Sequence, residues 1–163
     1  VRAAGGAQIG VVMQTICGTG IRVSELRHIT AEAVREGSAA VRNKGKTRVI
    51  LIPAVLRRLL LGYMKKAGVT TGSVFLSKNK TPLDRSTVWR RMKALCERAG
   101  VAPRTVFPHS LRHLFARVFY SVEKDLLRLA DILGHTSDCK TCKAVRKVEQ
   151  FLYICFQSHI PNL

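Results

Sequence analysis

The segment CGTGIRVSELRHIT, Cys17–Thr30, decides how the chain is read, because it puts a charged side chain where a packed element should start. Ile9, Val12, Met13 and Ile16 precede it at helical spacing, and Gly18 is expected to stop that helix. Thr19-Gly20-Ile21-Arg22 then reads as a turn. Ser24 is the expected N-cap of the next element, ELRHIT, with Glu25 near its positive end. Arginine is rarely buried without a partner. Arg22 therefore pairs with Glu25, caps a helix, or holds an anion from outside the chain.

Working outward, SAAVRNKGKTRVILIP (38–53) reads as a β-hairpin, two β-rich runs flanking the polar turn Asn43-Lys44-Gly45-Lys46. Pro53 opens the helix PAVLRRLLLGYMKKAG, which Gly68 closes. SVFLS (73–77) reads as a short strand. Ser86 or Thr87 is the expected cap of the helix TVWRRMKALCERAG, ending at Gly100. A helix follows Pro108, and Ser121 or a neighbour is expected to start another that Gly134 ends. The result is a mostly α chain with a small antiparallel β-sheet, an α+β fold, without internal repeat, long linker or low-complexity tract.

The chain has 163 residues, 47% of them hydrophobic, which excludes a disordered tail. Lys and Arg number 28 against 10 Asp and Glu, a formal charge of +18. That excess points to a polyanion, nucleic acid first and an anionic membrane surface second. No apolar run reaches the length of a membrane span, and AVLRRLLLGYM carries two arginines in its middle. The start lacks a signal-peptide pattern, and Val1 in place of Met fits an excised domain or a gene fragment. Five cysteines without secreted spacing fit a reducing compartment, so the cytoplasm is the expected location.

Five side chains suggest chemistry: Arg22, Lys44 in the hairpin turn, His109 and Arg112 in HSLRH, and His135 in LGH. His109 and Arg112 are three residues apart and share a helix face. The others stand in turns or at element ends, where side chains can point into a common cleft. Together they would repel one another unless an anion sat among them. A phosphodiester suits the set. An arginine fork can grip two non-bridging oxygens, and a rigid donor aimed at developing charge contributes on the order of 3 kcal/mol. A lysine whose pKa is lowered by cationic neighbours can protonate a leaving alkoxide, and a histidine can take a nucleophile's proton. The ten acidic residues are scattered, with no cluster of the magnesium-binding type, so the expected mechanism needs no metal. Each position also has a plain structural reading, such as an exposed hairpin lysine or histidines at helix ends.

TGIRVSEL, NKGKTRVILIP, HSLRHLFA and LADILGHTS resemble, in order, the signature blocks of the tyrosine recombinase (phage integrase) family, from about residue 8 to Ser137. The resemblance implies a mostly helical catalytic domain over 1–137 that binds double-stranded DNA. It implies site-specific recombination or integration without a cofactor, through a 3′-phosphotyrosyl intermediate, as in mobile elements, in a bacterial cytoplasm at the nucleoid. On this reading Arg22 and Arg112 clamp the scissile phosphate, and Lys44 protonates the 5′-oxygen leaving group. His109 assists proton transfer and His135 bonds a phosphate oxygen. The family's N-terminal DNA-clamping domain is expected to be absent from the chain.

The nucleophile breaks the pattern. The family's tyrosine follows the LGH histidine by roughly nine residues, a spacing of the motif kind. Here that neighbourhood is TSDCKTCKAVRKV, with Ala144 near the expected place. Tyr153 is the remaining candidate nucleophile, and an interfacial aromatic on a terminal helix is the favoured reading of it. Residues 138–163 form an atypical segment in which Val145, Val148, Leu152 and Cys155 make an apolar stripe. Such a helix needs a partner face, in this domain or in a second copy on DNA. A frameshift near codon 137 is one explanation of the loss of pattern. The alternative function is an inactive remnant that only binds DNA.

Cys139 and Cys142 have zinc-knuckle spacing, but only Cys155 or His159 remain to complete four ligands. Trp89, Arg90, Arg91 and Lys93 form a basic helix that suits a DNA groove or a solvated face over a core tryptophan. His113 points away from the Arg112 face and is expected to pack.

Overall fold

A computed structural model gives the fold and describes residues 2–43, 46–104 and 106–134. The chain divides into two compact units, Val1–Phe115 and Ala116–Leu163. In the first, α1 (Arg2–Thr19) buries Ile9, Val12 and Ile16. The helix does not stop at Gly18. A Cβ there would come within 3.2 Å of the Leu56 side chain, so the missing side chain serves close packing. The stop is Gly20, whose φ of +64° suits glycine, with its N–H bonded to Ile16 O at 2.9 Å.

Val23–His28 forms a 3₁₀ helix, and the residue in the cap position is Arg22, not Ser24. The Glu25 carboxylate reaches back to the Arg22 N–H at 2.9 Å, which moves the cap two residues upstream of the expected serine. Thr30 then caps α2 (Ala31–Glu36) by accepting from Ala33 N–H at 3.2 Å.

The hairpin forms as expected. β1 (Ser38–Asn43) pairs antiparallel with β2 (Lys46–Leu51), in a register running from Ser38↔Leu51 to Asn43↔Lys46. Ala39, Val41 and Ile50 are buried on one face, whereas Val49 and Leu51 are exposed on the other. α3 (Ala54–Ala67) follows, bracketed by Pro53 and Gly68, and buries Leu56, Leu60 and Met64.

The strand expected over 73–77 is not formed. Val74 and Phe75 are buried, but the segment makes only isolated bridges, Thr30↔Ser73 and Leu76↔Pro82. Loop partners satisfy the backbone instead: Val74 N–H bonds Ile29 O at 2.9 Å, and Phe75 O accepts from Leu83 N–H at 3.0 Å.

Asp84, rather than Ser86 or Thr87, caps α4 (Arg85–Arg98). Its carboxylate accepts from Thr87 N–H at 2.8 Å and from the hydroxyls of Ser86 and Thr87 at 2.6 and 2.7 Å. An ionised carboxylate can gather three donors where one hydroxyl could not. α4 buries Val88, Met92 and Cys96 and leaves Trp89 half exposed, so the tryptophan is not a core residue.

Two of the helix's cations point into the protein. Arg91 donates to Gln8 Oε1, while the Gln8 amide bonds Tyr63 Oη at 3.0 Å and Leu76 O at 2.9 Å. Lys93 donates to Pro103 O and, at 3.0 Å, to Val106 O, and it also lies 5.4 Å from the Trp89 ring centroid. The expected basic face of this helix is therefore partly a set of internal ties, and Lys93 grips the loop that leads into the next helix.

α5 (Pro108–Glu123) carries HSLRH in its first turns. Ser110 fixes that start, its hydroxyl donating to Phe107 O at 2.7 Å and accepting from Phe107 N–H at 3.0 Å. No helix begins at Ser121, which lies inside α5. The break falls at Lys124, φ +56°, and Asp125 caps α6 (Leu126–Leu133). In the second unit Ala116, Leu129, Ala130 and Leu133 are buried. No helix among the described residues is long and apolar enough to cross a membrane.

Candidate active site

Arg22, His109 and Arg112, up to 90 positions apart in sequence, line one cleft of about 720 Å³ in the first unit. Arg22 arrives from the turn after α1, and the other two from the first turns of α5. Arg85, at the start of α4, joins them, and Trp89 and Phe107 supply apolar wall. Among the described residues no acidic side chain lines the cleft. A concave surface that gathers three arginines in this way favours an anion.

A buried carboxylate holds one of the lining arginines. Glu25 is buried and bonded to Arg22 Nη1 at 3.0 Å, to Arg48 Nη1 at 3.0 Å and to Arg48 Nη2 at 2.7 Å, in addition to the Arg22 N–H. Burial alone would raise its pKa. The hydrogen bonds from Arg48 and from Arg22, with the Arg48 charge, overcome that and bring it down to about 2. Arg22 thus pairs with Glu25, occupies the cap position of the 3₁₀ helix and lines the cleft.

Arg112 is 3% exposed and donates through Nη1 to Gly20 O. The left-handed Gly20 therefore ends α1 and presents a carbonyl to the second arginine. The TGIR turn and HSLRH are parts of one construction. His109 lies edge-on to His113, the ring centroids 4.3 Å apart at 85°, so His113 packs as expected, and it does so against the site histidine. Partial burial, then the charges of Arg112, Arg22 and Arg85, lower the His109 pKa below its ordinary value, which favours the neutral ring.

Lys44, His135 and Tyr153 lie outside the described residues, as do the Cys139/Cys142 pair and the segment 138–163. Among the described residues no three His, Cys, Asp or Glu side chains come together as a metal site. Sequence reasoning missed Arg48, Arg85 and Phe107. Arg48 had a signal: Ile50 and Ile52 point inward, and the strand period of two puts position 48 on the same face. Arg85 and Phe107 had none, because each reaches the cleft through tertiary packing.

The described residues form a mostly helical domain with a β-hairpin and a cleft lined by Arg22, Arg85, His109 and Arg112. A sequence model of the phage integrase family matches residues 4–147, and the chain belongs to that family. Among curated relatives, the tyrosine recombinase XerH of Campylobacter jejuni is 34% identical over 137 residues, covering 78% of this chain and 38% of the relative. Tyrosine recombinase XerD of Xanthomonas axonopodis is 31% identical over 166 residues, covering 93% and 54%. The chain thus spans about half the length of the curated relatives it matches. Among solved structures, the XerA recombinase superposes with a TM-score of 0.74 at 23% identity, covering 96% of this chain and 58% of that one. XerH bound to its difH substrate superposes with a TM-score of 0.68 at 22% identity, covering 86% and 42%. The tyrosine-recombinase catalytic fold expected from the sequence blocks is the fold observed.

Proposed function

We propose that residues 1–137 are the catalytic portion of a tyrosine-type site-specific recombinase that cleaves double-stranded DNA by transesterification. The observation that supports this most is the convergence of Arg22, His109 and Arg112 on one cleft, with no carboxylate on its walls among the described residues. In this reading the two arginines grip the non-bridging oxygens of one phosphodiester. A tyrosine oxygen attacks phosphorus, forming the P–O(Tyr) bond as the P–O5′ bond breaks. The tyrosine proton passes to neutral His109, and Lys44 supplies a proton to the departing 5′-oxygen. His135 donates a hydrogen bond to the phosphate, and Tyr153 is the candidate nucleophile. The phosphoester bond is exchanged rather than hydrolysed, so the reverse attack by a 5′-hydroxyl reseals a strand. Among the matched structures, XerH is described as bound to its difH substrate before and after cleavage.

The second reading, an inactive remnant that binds DNA, is favoured by Ala144 standing where the family's tyrosine is expected. The two separate on one experiment. The chain is incubated with a nicked duplex carrying a site selected from a randomised pool, and covalent protein–DNA adduct is sought on a denaturing gel. Adduct that disappears in Tyr153→Phe establishes the enzyme. Binding without adduct, while a reference recombinase traps its own site, leaves the remnant.

The lowered His109 pKa gives a second check. A phosphate between the arginines offsets the cationic field, so the His109 pKa is expected to rise on binding. The bound state then holds more protons, and affinity should strengthen as pH falls through the free-state pKa. Ring-proton NMR of His109, with and without duplex, reads the shift directly, and His109→Gln should flatten this part of the affinity profile. An unchanged or lowered pKa on binding would place the phosphate elsewhere.

A further inference from the structure

The hairpin meets the cleft through one buried carboxylate. Arg48 stands on the inward face of β2 opposite Val41, with its side chain 12% exposed. Its two terminal nitrogens take both Glu25 oxygens, at 3.0 and 2.7 Å, which sets the plane of the carboxylate. Glu25 in turn holds Arg22 at two points, the backbone N–H at 2.9 Å and Nη1 at 3.0 Å. A guanidinium ordered in advance loses less conformational freedom when its ligand arrives.

Charge adds a second argument. A lone Glu25–Arg22 pair would be neutral and would weaken Arg22 as an anion ligand. With Arg48 on the same carboxylate the group of three carries a net single positive charge, and the charge of Arg22 remains available to the cleft. We propose that Arg48 is a positioning residue for the phosphate clamp: acting through Glu25, it presets Arg22 and ties the β1–β2 hairpin to the site. The proposal rests on the reading of Arg22 as a phosphate ligand.

The test is a double-mutant cycle on the whole chain, read by fluorescence anisotropy with a labelled mixed-sequence duplex at roughly 100 mM KCl. It is run at a temperature where circular dichroism shows every variant folded. Arg48→Met is expected to weaken binding about tenfold in the wild-type background and less than about twofold in Arg22→Gln, because the two changes remove one interaction. Arg48→Lys, which keeps the charge but not the fork, should recover part of the loss. A purely structural Arg48 would give equal effects in both backgrounds, and that result overturns the proposal. So does an unaltered affinity in Arg48→Met when Arg22→Gln weakens binding. If Arg22→Gln itself binds normally, the clamp reading fails, and Arg48 is judged in the free protein by NMR exchange of the Arg22 Nε proton. Faster exchange in Arg48→Met upholds the presetting; an unchanged rate refutes it.

Discussion

Arg112→Gln is expected to lower covalent trapping of a nicked duplex by about 10²–10³-fold, the usual cost of losing one preorganised donor to a reacting oxyanion. Duplex affinity should fall about tenfold alongside, because a contact to the ground-state phosphate goes with it. The reason is the position of the guanidinium. One arm is fixed on Gly20 O, the residue is 3% exposed, and the same side chain lines the cleft. Glutamine is shorter and neutral, and it cannot serve the carbonyl and the anion together. Arg112→Lys separates charge from geometry. It keeps the positive charge but has no planar fork, so binding should be largely retained while trapping still falls steeply. Quantifying adduct on denaturing gels and affinity by anisotropy checks both. Equal, small losses in the two variants would mean that Arg112 acts only as a structural tie to Gly20.

Glu25→Gln is expected to cost about 3–5 kcal/mol of folding stability, the range for removing one member of a buried ion pair. The amide could still accept through one oxygen, but its NH₂ would face guanidinium donors with nothing to accept them. Acid should reproduce part of this in the wild type. Glu25 has an ordinary pKa of 4.5 and a folded value of about 2. The folded state therefore binds the proton more weakly, and the contribution is fully present above about pH 4.5. It is lost as pH falls from there towards 2, for a total of about 3 kcal/mol. Urea unfolding at a series of pH values should show that slope in the wild type and lack it in Glu25→Gln. An unchanged slope in the variant would assign the acid sensitivity to other carboxylates.

Much of the architecture was legible locally. The period of 3.6 through Ile9, Val12 and Ile16 announced α1, and the polar turn between β-rich runs announced the hairpin. Pro53 and Gly68 bracketed α3 as written. Two of the misplaced caps were local competitions settled by charge. Glu25 took the Arg22 N–H and displaced Ser24 as the start of its turn, and Asp84 outbid two hydroxyls for the cap of α4. At 73–77 a buried apolar run lacked a neighbouring strand to pair with, and loop carbonyls and amides took its hydrogen bonds.

The candidate site divides along the same line. The residue types and their order along the chain named Arg22, His109 and Arg112, because chemistry at a phosphate demands forks and a titrating ring. Period and turn signals placed each of them at an element's end. Their meeting in one cleft, the carbonyl of Gly20 under Arg112, and the sharing of Glu25 between Arg22 and Arg48 came only with the tertiary structure. Spacing along a chain governs torsions and faces within one element. Whether an arginine meets a carboxylate 23 residues away or a carbonyl 92 residues away depends on which groups lose their water together when the elements pack.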